Sequence, residues 1–184
     1  MAPQLTEDEI DDLIYFARIG EGADLMDSVT ALADREKVAP AVILMASKDE
    51  GKSTVLHMAT GNGHLETVRK VIECFDARPK EEKQAFLDEP NEHGNTGMHW
   101  AALGGHLDTV KLLMEHGASP ALANERDYVP LDLANQNEKT DVSAYFLSFL
   151  KELESKNTDE GLNNATASIE VEETIEDSKP GASS

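Results

Sequence analysis

The chain has 184 residues, of which 40% are apolar but only 5% aromatic, and its 36 acidic residues outnumber 16 basic ones to give a formal net charge of −20. That length suits one domain with its own core plus a tail, and the charge argues against nucleic acid and anionic membrane as partners while favouring basic ones. A single cysteine, Cys74, excludes an intramolecular disulfide framework, no apolar run approaches membrane-spanning length, and the start MAPQLTEDE lacks both halves of a secretory signal, so a cytosolic or nuclear soluble protein is expected.

Thr6-Glu7-Asp8-Glu9 is a capping box, in which the Thr6 hydroxyl satisfies the Glu9 amide and the Glu9 carboxylate reaches back. It opens a helix with Ile10, Leu13, Ile14 and Ala17 on one face, ended by Gly20 and Gly22; Leu25, Met26, Val29 and Leu32 mark a second helix. Val38 to Ala46 is an apolar connector with Pro40 placed for a helix's first turn, and Ser47 to Ser53 is polar and turn-like. Then Thr54–Ile72 reads TVLHMATGNGHLETVRKVI, and Thr96–Met114 reads TGMHWAALGGHLDTVKLLM, the same pattern at an offset of 42 residues. Repetition at fixed spacing is the signature of stacked supersecondary units that share a core.

Between the two copies lies an insertion in which Pro79 opens a short helix through Lys83, Phe86 and Leu87. Counting 33 residues on from Thr96 reaches Val129, where VPLDLANQNEKTDVSAYFL repeats the pattern in worn form, with Glu138 in place of the loop glycine. Beyond about Glu152 low hydrophobicity and like charge cannot offset ordering entropy, and a tail disordered by itself is expected over 152–184. The acidity is concentrated at the ends: residues 1–36 hold ten acids and two bases, and residues 152–184 nine and two.

These residues resemble the ankyrin repeat, whose T-P-L-H-x-A-A-x-x-G-H pattern is met by Thr54, Leu56, His57, Ala59, Gly63 and His64 and again by Thr96, His99, Ala101, Ala102, Gly105 and His106. The departures are Val55 and Gly97 where proline is usual and Met98 where leucine is usual. The resemblance implies an all-α fold, an ankyrin-repeat solenoid of about four helix-pair repeats with short finger turns and an acidic disordered C-terminal tail. In that reading residues 1–151 are the ankyrin-repeat domain, with repeats at approximately 6–34, 49–75, 91–120 and 124–151 and the insertion at 76–90, and residues 152–184 are a flexible tail.

In that family the residue after the L-H position faces a concave groove, which places Tyr15, Met58, Trp100 and Leu133 in one stripe. The finger turns add Asp49, Glu50, Glu92 and Asp127, with Tyr128 beside them, as an acidic rim. An apolar stripe edged by carboxylates suits a basic amphipathic helix. Catalytic and metal sites are not expected, nor a cofactor. His57, His64, His99 and His106 fall on the repeat's own turn and loop positions, Cys74 has no accompanying triad, and Gly61-Asn62-Gly63 and Gly104-Gly105 sit between helices rather than in a phosphate loop.

The order of an acidic first hairpin, connector, repeat, insertion, repeat, worn repeat and acidic tail is similar to a small fungal ankyrin-repeat protein that is the dedicated chaperone of small-subunit ribosomal protein number three (uS-three). What this resemblance implies is an escort that binds that basic ribosomal protein by its N-terminal segment, prevents its aggregation and supports small-subunit biogenesis. The protein would be cytoplasmic and nuclear and a monomer before client binding. The alternative is a regulatory ankyrin adaptor for a kinase or transcription factor, which would share the groove but have little use for a charge of −20.

Overall fold

The structure, a computed structural model, describes residues 2–173, with side chains described through Lys156. Among these residues it contains ten α-helices and no strand, only an isolated antiparallel bridge between Lys48 and Thr54. Residues up to Tyr145 form one compact unit, and those from Phe146 onward form a second.

Helix α1 (Glu7–Ile19) starts at the capping box: the Glu9 amide donates to the Thr6 hydroxyl at 3.3 Å and the Thr6 amide donates to the Glu9 carboxylate at 2.9 Å. Helix α2 (Gly22–Glu36) returns antiparallel to it. Helix α3 (Pro40–Ala46) turns the connector into one short helix with proline in its first turn, burying Ala41, Ile43 and Leu44 beside α2. Two helix pairs follow, α4 (Val55–Gly61) with α5 (Leu65–Glu73) and α7 (Gly97–Gly104) with α8 (Leu107–Glu115). Between them the insertion forms α6 (Lys80–Leu87) after Pro79, pinned by Phe86 stacked on Phe75 at 4.4 Å. Helix α9 (Pro130–Gln136) and the start of α10 (Thr140–Glu173) make the last pair.

The first helices stand in a row, α1 against α4, α4 against α7 and α7 against α9, with α2, α5 and α8 in a second row behind. Fully buried Ala59, Ala101, Ala102 and Ala134 keep the first row close, and Leu13, Leu56, Met98 and Leu113 fill the core between rows. Each such large side chain taken from water stabilises by about 1.5–3 kcal/mol. The first hairpin lacks the sequence signature but shares its geometry. Gly20 adopts φ 82°, where a Cβ would meet the His64 ring at 2.5 Å, and Gly63 at φ 73° stands the same way against His106. In the worn last repeat Glu138 takes the left-handed conformation, φ 57°, that the missing glycine would have held.

A finger turn precedes each of α4, α7 and α9, built to one plan. An Asx side chain opens it: Asp49 accepts from the Ser53 amide at 2.7 Å, Asn91 from the His93 and Asn95 amides at 3.0 Å each, and Asn124 from Arg126 at 2.9 Å and Tyr128 at 3.1 Å. Three residues on, Lys52, Gly94 and Asp127 are left-handed.

The expected tail falls partly on residues 174–184, which lie outside the described residues. From 152 to 173 the described backbone continues α10, and the side chains from Lys151 to Lys156 are exposed. A helix without burial rests on propensity alone, which is marginal in water.

Candidate functional site

The two Thr-x-x-His turns position everything above them. The Thr54 amide and hydroxyl both donate to Nδ1 of His57, at 3.1 and 3.0 Å, while the same hydroxyl accepts from Leu56 N–H at 3.2 Å. With Nδ1 an acceptor, the proton sits on Nε2, which donates across to the carbonyl of Asn95 in the next finger at 2.8 Å. His99 repeats the arrangement from Thr96, ending on the carbonyl of Tyr128 at 3.0 Å. The loop histidines tie backwards instead, His64 to the Arg18 carbonyl at 2.9 Å and His106 to the Gly61 carbonyl at 3.0 Å. All four Nε2 atoms are thus committed to backbone between repeats. Burial holds His57 and His99 below the ordinary histidine pKa, which keeps them in the neutral form the network needs. In the last repeat Asp132 replaces the histidine; it takes the Val129 amide at 3.0 Å, and valine has no hydroxyl to complete the exchange.

On the face above this network the predicted stripe is not continuous. Tyr15 is 54% exposed, but Met58 is only 7% exposed and belongs to the core, with the Arg18 guanidinium 3.7 Å from its sulfur. Trp100 and Leu133 are half-buried. Met58 is covered because α4 has a helix of the row on either side, whereas α1 has a neighbour in the row on one side alone. Trp100 leans over the second repeat where Gly61 leaves room, since a Cβ at 61 would lie 2.7 Å from its ring. Trp100, Leu133 and Tyr128 meet in one groove of about 390 Å³ between α7, α9 and the second and third fingers, joined by Leu103, Asn124, Glu125 and Arg126. Its charges balance, Glu125 against Arg126, and the indole N–H of Trp100 is buried without an acceptor.

Asp49 and Glu50 lie elsewhere, in a cleft of about 470 Å³ with Glu7, Ile10 and Asp11 of α1. Lys48 is the one cation lining it and is paired with Glu89 of the insertion. One Asp49 oxygen serves the finger itself. Glu92 is exposed, its amide bound to the Gly51 carbonyl at 2.8 Å and its carboxylate 3.5 Å from His93; Asp127 is exposed at the tip of the third finger. The groove that holds Trp100 and Leu133 is lined by neither Glu92 nor Asp127.

Sequence reading missed Glu7 and Asp11, although their four-residue spacing to Tyr15 puts all three on one helical row. Leu103 was legible in the same way, one turn beyond Trp100. Among the described residues there is no cluster of three or more His, Cys, Asp or Glu able to hold a metal, and no helix is long and apolar enough to cross a membrane.

Known proteins share this architecture. The family described as ankyrin repeats (3 copies) matches residues 14–124 and again 56–159. The ankyrin repeat-containing protein YAR1 of Saccharomyces cerevisiae is 42% identical over 145 residues, covering 78% of this chain and 70% of that protein. An ankyrin repeat-containing protein of Schizosaccharomyces pombe is 35% identical over 144 residues, covering 77% of this chain and 86% of its own length. Among solved structures, the chain is similar to the crystal structure of the yeast ribosomal protein Rps3 in complex with its chaperone Yar1, with a TM-score of 0.72 and 38% identity over 79% of this chain and 95% of the matched one.

Proposed function

The chain belongs to the ankyrin-repeat family, and from that premise we propose that it is a dedicated chaperone of a basic ribosomal protein, small-subunit protein number three, acting by binding and not by catalysis. The observation that carries this reading is kinship with the yeast chaperone of Rps3 over more than three quarters of the chain. The physical case agrees with it. A ribosomal protein away from its RNA is a polycation prone to aggregate, and a partner of net charge −20 screens it. The client's basic amphipathic segment, at its N-terminus, lies with apolar residues at Trp100, Tyr128 and Leu133 and with Lys and Arg toward Glu7, Asp11 and Glu50. The escort works in the cytoplasm and the nucleus, entering the nucleus by diffusion or with its client.

Capture of purified Rps3 by the full chain at low and high salt tests this. Strong binding at low salt that weakens as salt rises is expected, since rim charge governs association. Trp100→Ala is expected to weaken the complex by about 30-fold or more, the range of a central aromatic anchor, with an unchanged helical spectrum. Absence of Rps3 binding at low salt, or recovery of a signalling protein in its place, refutes the chaperone reading. Unaltered affinity in Trp100→Ala removes the groove from it.

A further inference from the structure

The chain has one Asn-Gly dipeptide, Asn62-Gly63, in the loop between α4 and α5. Two separate demands of the fold bring the pair together. Gly63 stands at φ 73°, where a Cβ would lie 2.4 Å from the His106 ring, so no side chain is admitted there. Asn62 closes the end of α4, its side-chain amide donating to the Met58 carbonyl at 2.8 Å. Other loops meet these demands singly. Asn137 makes the same bond to the Leu133 carbonyl at 2.8 Å but is followed by Glu138, and Gly105 is preceded by Gly104. Asparagine is a thermolabile residue, and it is most so before glycine, which lacks the side chain that would hinder attack by its backbone nitrogen.

We propose that Asn62 is a modification site, a spontaneous deamidation site that the folded loop keeps latent. In the reaction the Gly63 nitrogen gives its proton to water and attacks the side-chain carbonyl carbon of Asn62. A C–N bond forms, ammonia leaves, and the resulting succinimide takes up water at either carbonyl to give aspartate or isoaspartate. Asn62 is exposed, so burial does not protect it. Conformation does. Ring closure needs the Gly63 nitrogen eclipsed with the Asn62 Cβ. At ψ 0° it is eclipsed with the backbone nitrogen of Asn62 instead, and Cβ lies roughly a third of a turn away. The nucleophile is also engaged, Gly63 N–H donating to the Thr60 carbonyl at 3.2 Å, and the leaving amide is held on Met58. Behind the loop, His106 Nε2 donates to the Gly61 carbonyl at 3.0 Å and its ring fills the space beside Gly63. Opening the loop releases the nucleophile and the leaving group together, and the modification that follows is one-way. The product carboxylate faces the Met58 carbonyl at the negative end of α4, and isoaspartate adds a methylene to the main chain, so the modified loop closes less well.

The test incubates the full chain in oxygen-18 water, native and in urea, and follows the tryptic peptide of residues 53–69 by mass spectrometry. In urea Asn62 is expected to convert ahead of every other asparagine, gaining one oxygen-18 and yielding isoaspartate alongside aspartate. In the native chain its conversion is expected to be about 30-fold slower, which corresponds to two hydrogen bonds of about 1 kcal/mol each opened before attack. His106→Ala empties the space behind the loop and removes the bond to Gly61; it is expected to close most of that gap, with the helical spectrum kept and the rate in urea unchanged. Hydrogen exchange at the Gly63 amide of the parent chain is a second measure that needs no variant, and its protection should be of the same order as the ratio of the two rates. A native chain that deamidates at the urea rate, or a Gly63 amide that exchanges freely, overturns the latch. Another asparagine leading in urea overturns the site. A folded His106→Ala chain that keeps the slow native rate overturns the part given to the neighbouring repeat.

Discussion

Replacing Asn124 separates the finger's local bonds from its bond to the neighbouring repeat. Its side-chain oxygen accepts from Arg126 N–H at 2.9 Å and Tyr128 N–H at 3.1 Å, and its amide donates to the Asn95 side-chain oxygen in the preceding finger at 2.8 Å. At about 1 kcal/mol for each bond, Asn124→Ala forfeits about 3 kcal/mol, reduced toward 2 because water can reach the freed amides of an exposed turn. Asn124→Asp keeps an oxygen for both local bonds, as the natural Asp49 carboxylate accepts the Ser53 amide in the first finger, and loses the inter-finger donor, at a cost of about 1 kcal/mol. Urea unfolding of the full chain reads the totals. Thermal midpoints should fall by about 4–12 °C for alanine and by about 2–4 °C for aspartate. Hydrogen exchange should quicken at the Arg126 and Tyr128 amides in the alanine variant alone. An alanine variant within about 0.5 kcal/mol of the parent, a change no larger than that of an ordinary surface substitution, or an aspartate variant as damaged as the alanine one, refutes this account of the finger.

Stability should also fall as pH drops from about 6.5 toward 5. His57 and His99 have folded pKa values below the ordinary one, so the unfolded chain takes up protons first and the neutral-histidine bonds contribute fully only above that ordinary value. Carboxylates add their own loss only at lower pH; Glu9, held at about 2 by its hydrogen bonds from Arg35 and the Thr6 amide, is the clearest case. Urea midpoints that stay level or rise across that interval contradict the histidine network. Gly63→Ala places a Cβ 2.4 Å from the His106 ring at φ 73°, and a loss of about 2–3 kcal/mol is expected from left-handed strain plus the displaced bond to the Gly61 carbonyl. Differential scanning calorimetry decides it, and a stabilised variant would show that the loop is free to rearrange.

Much of the fold is legible in the sequence because its signals are local. The capping box at Thr6, Pro79 opening α6, and the paired Thr-x-x-His turns act within a few residues, and the chain alone shows them. Two repeated segments also announce that helices stack. Tertiary structure decided what stacking does to individual positions. Met58, Trp100 and Tyr15 are equivalent in the repeat, yet Met58 is covered from both sides, Trp100 overfills its slot across Gly61, and Tyr15 stays open at the end of the row. The segregation of an acidic cleft from a neutral groove with an unpaired indole arises the same way. It depends on which finger meets which helix far along the chain, and on Glu89 of the insertion neutralising Lys48, contacts that no local pattern encodes.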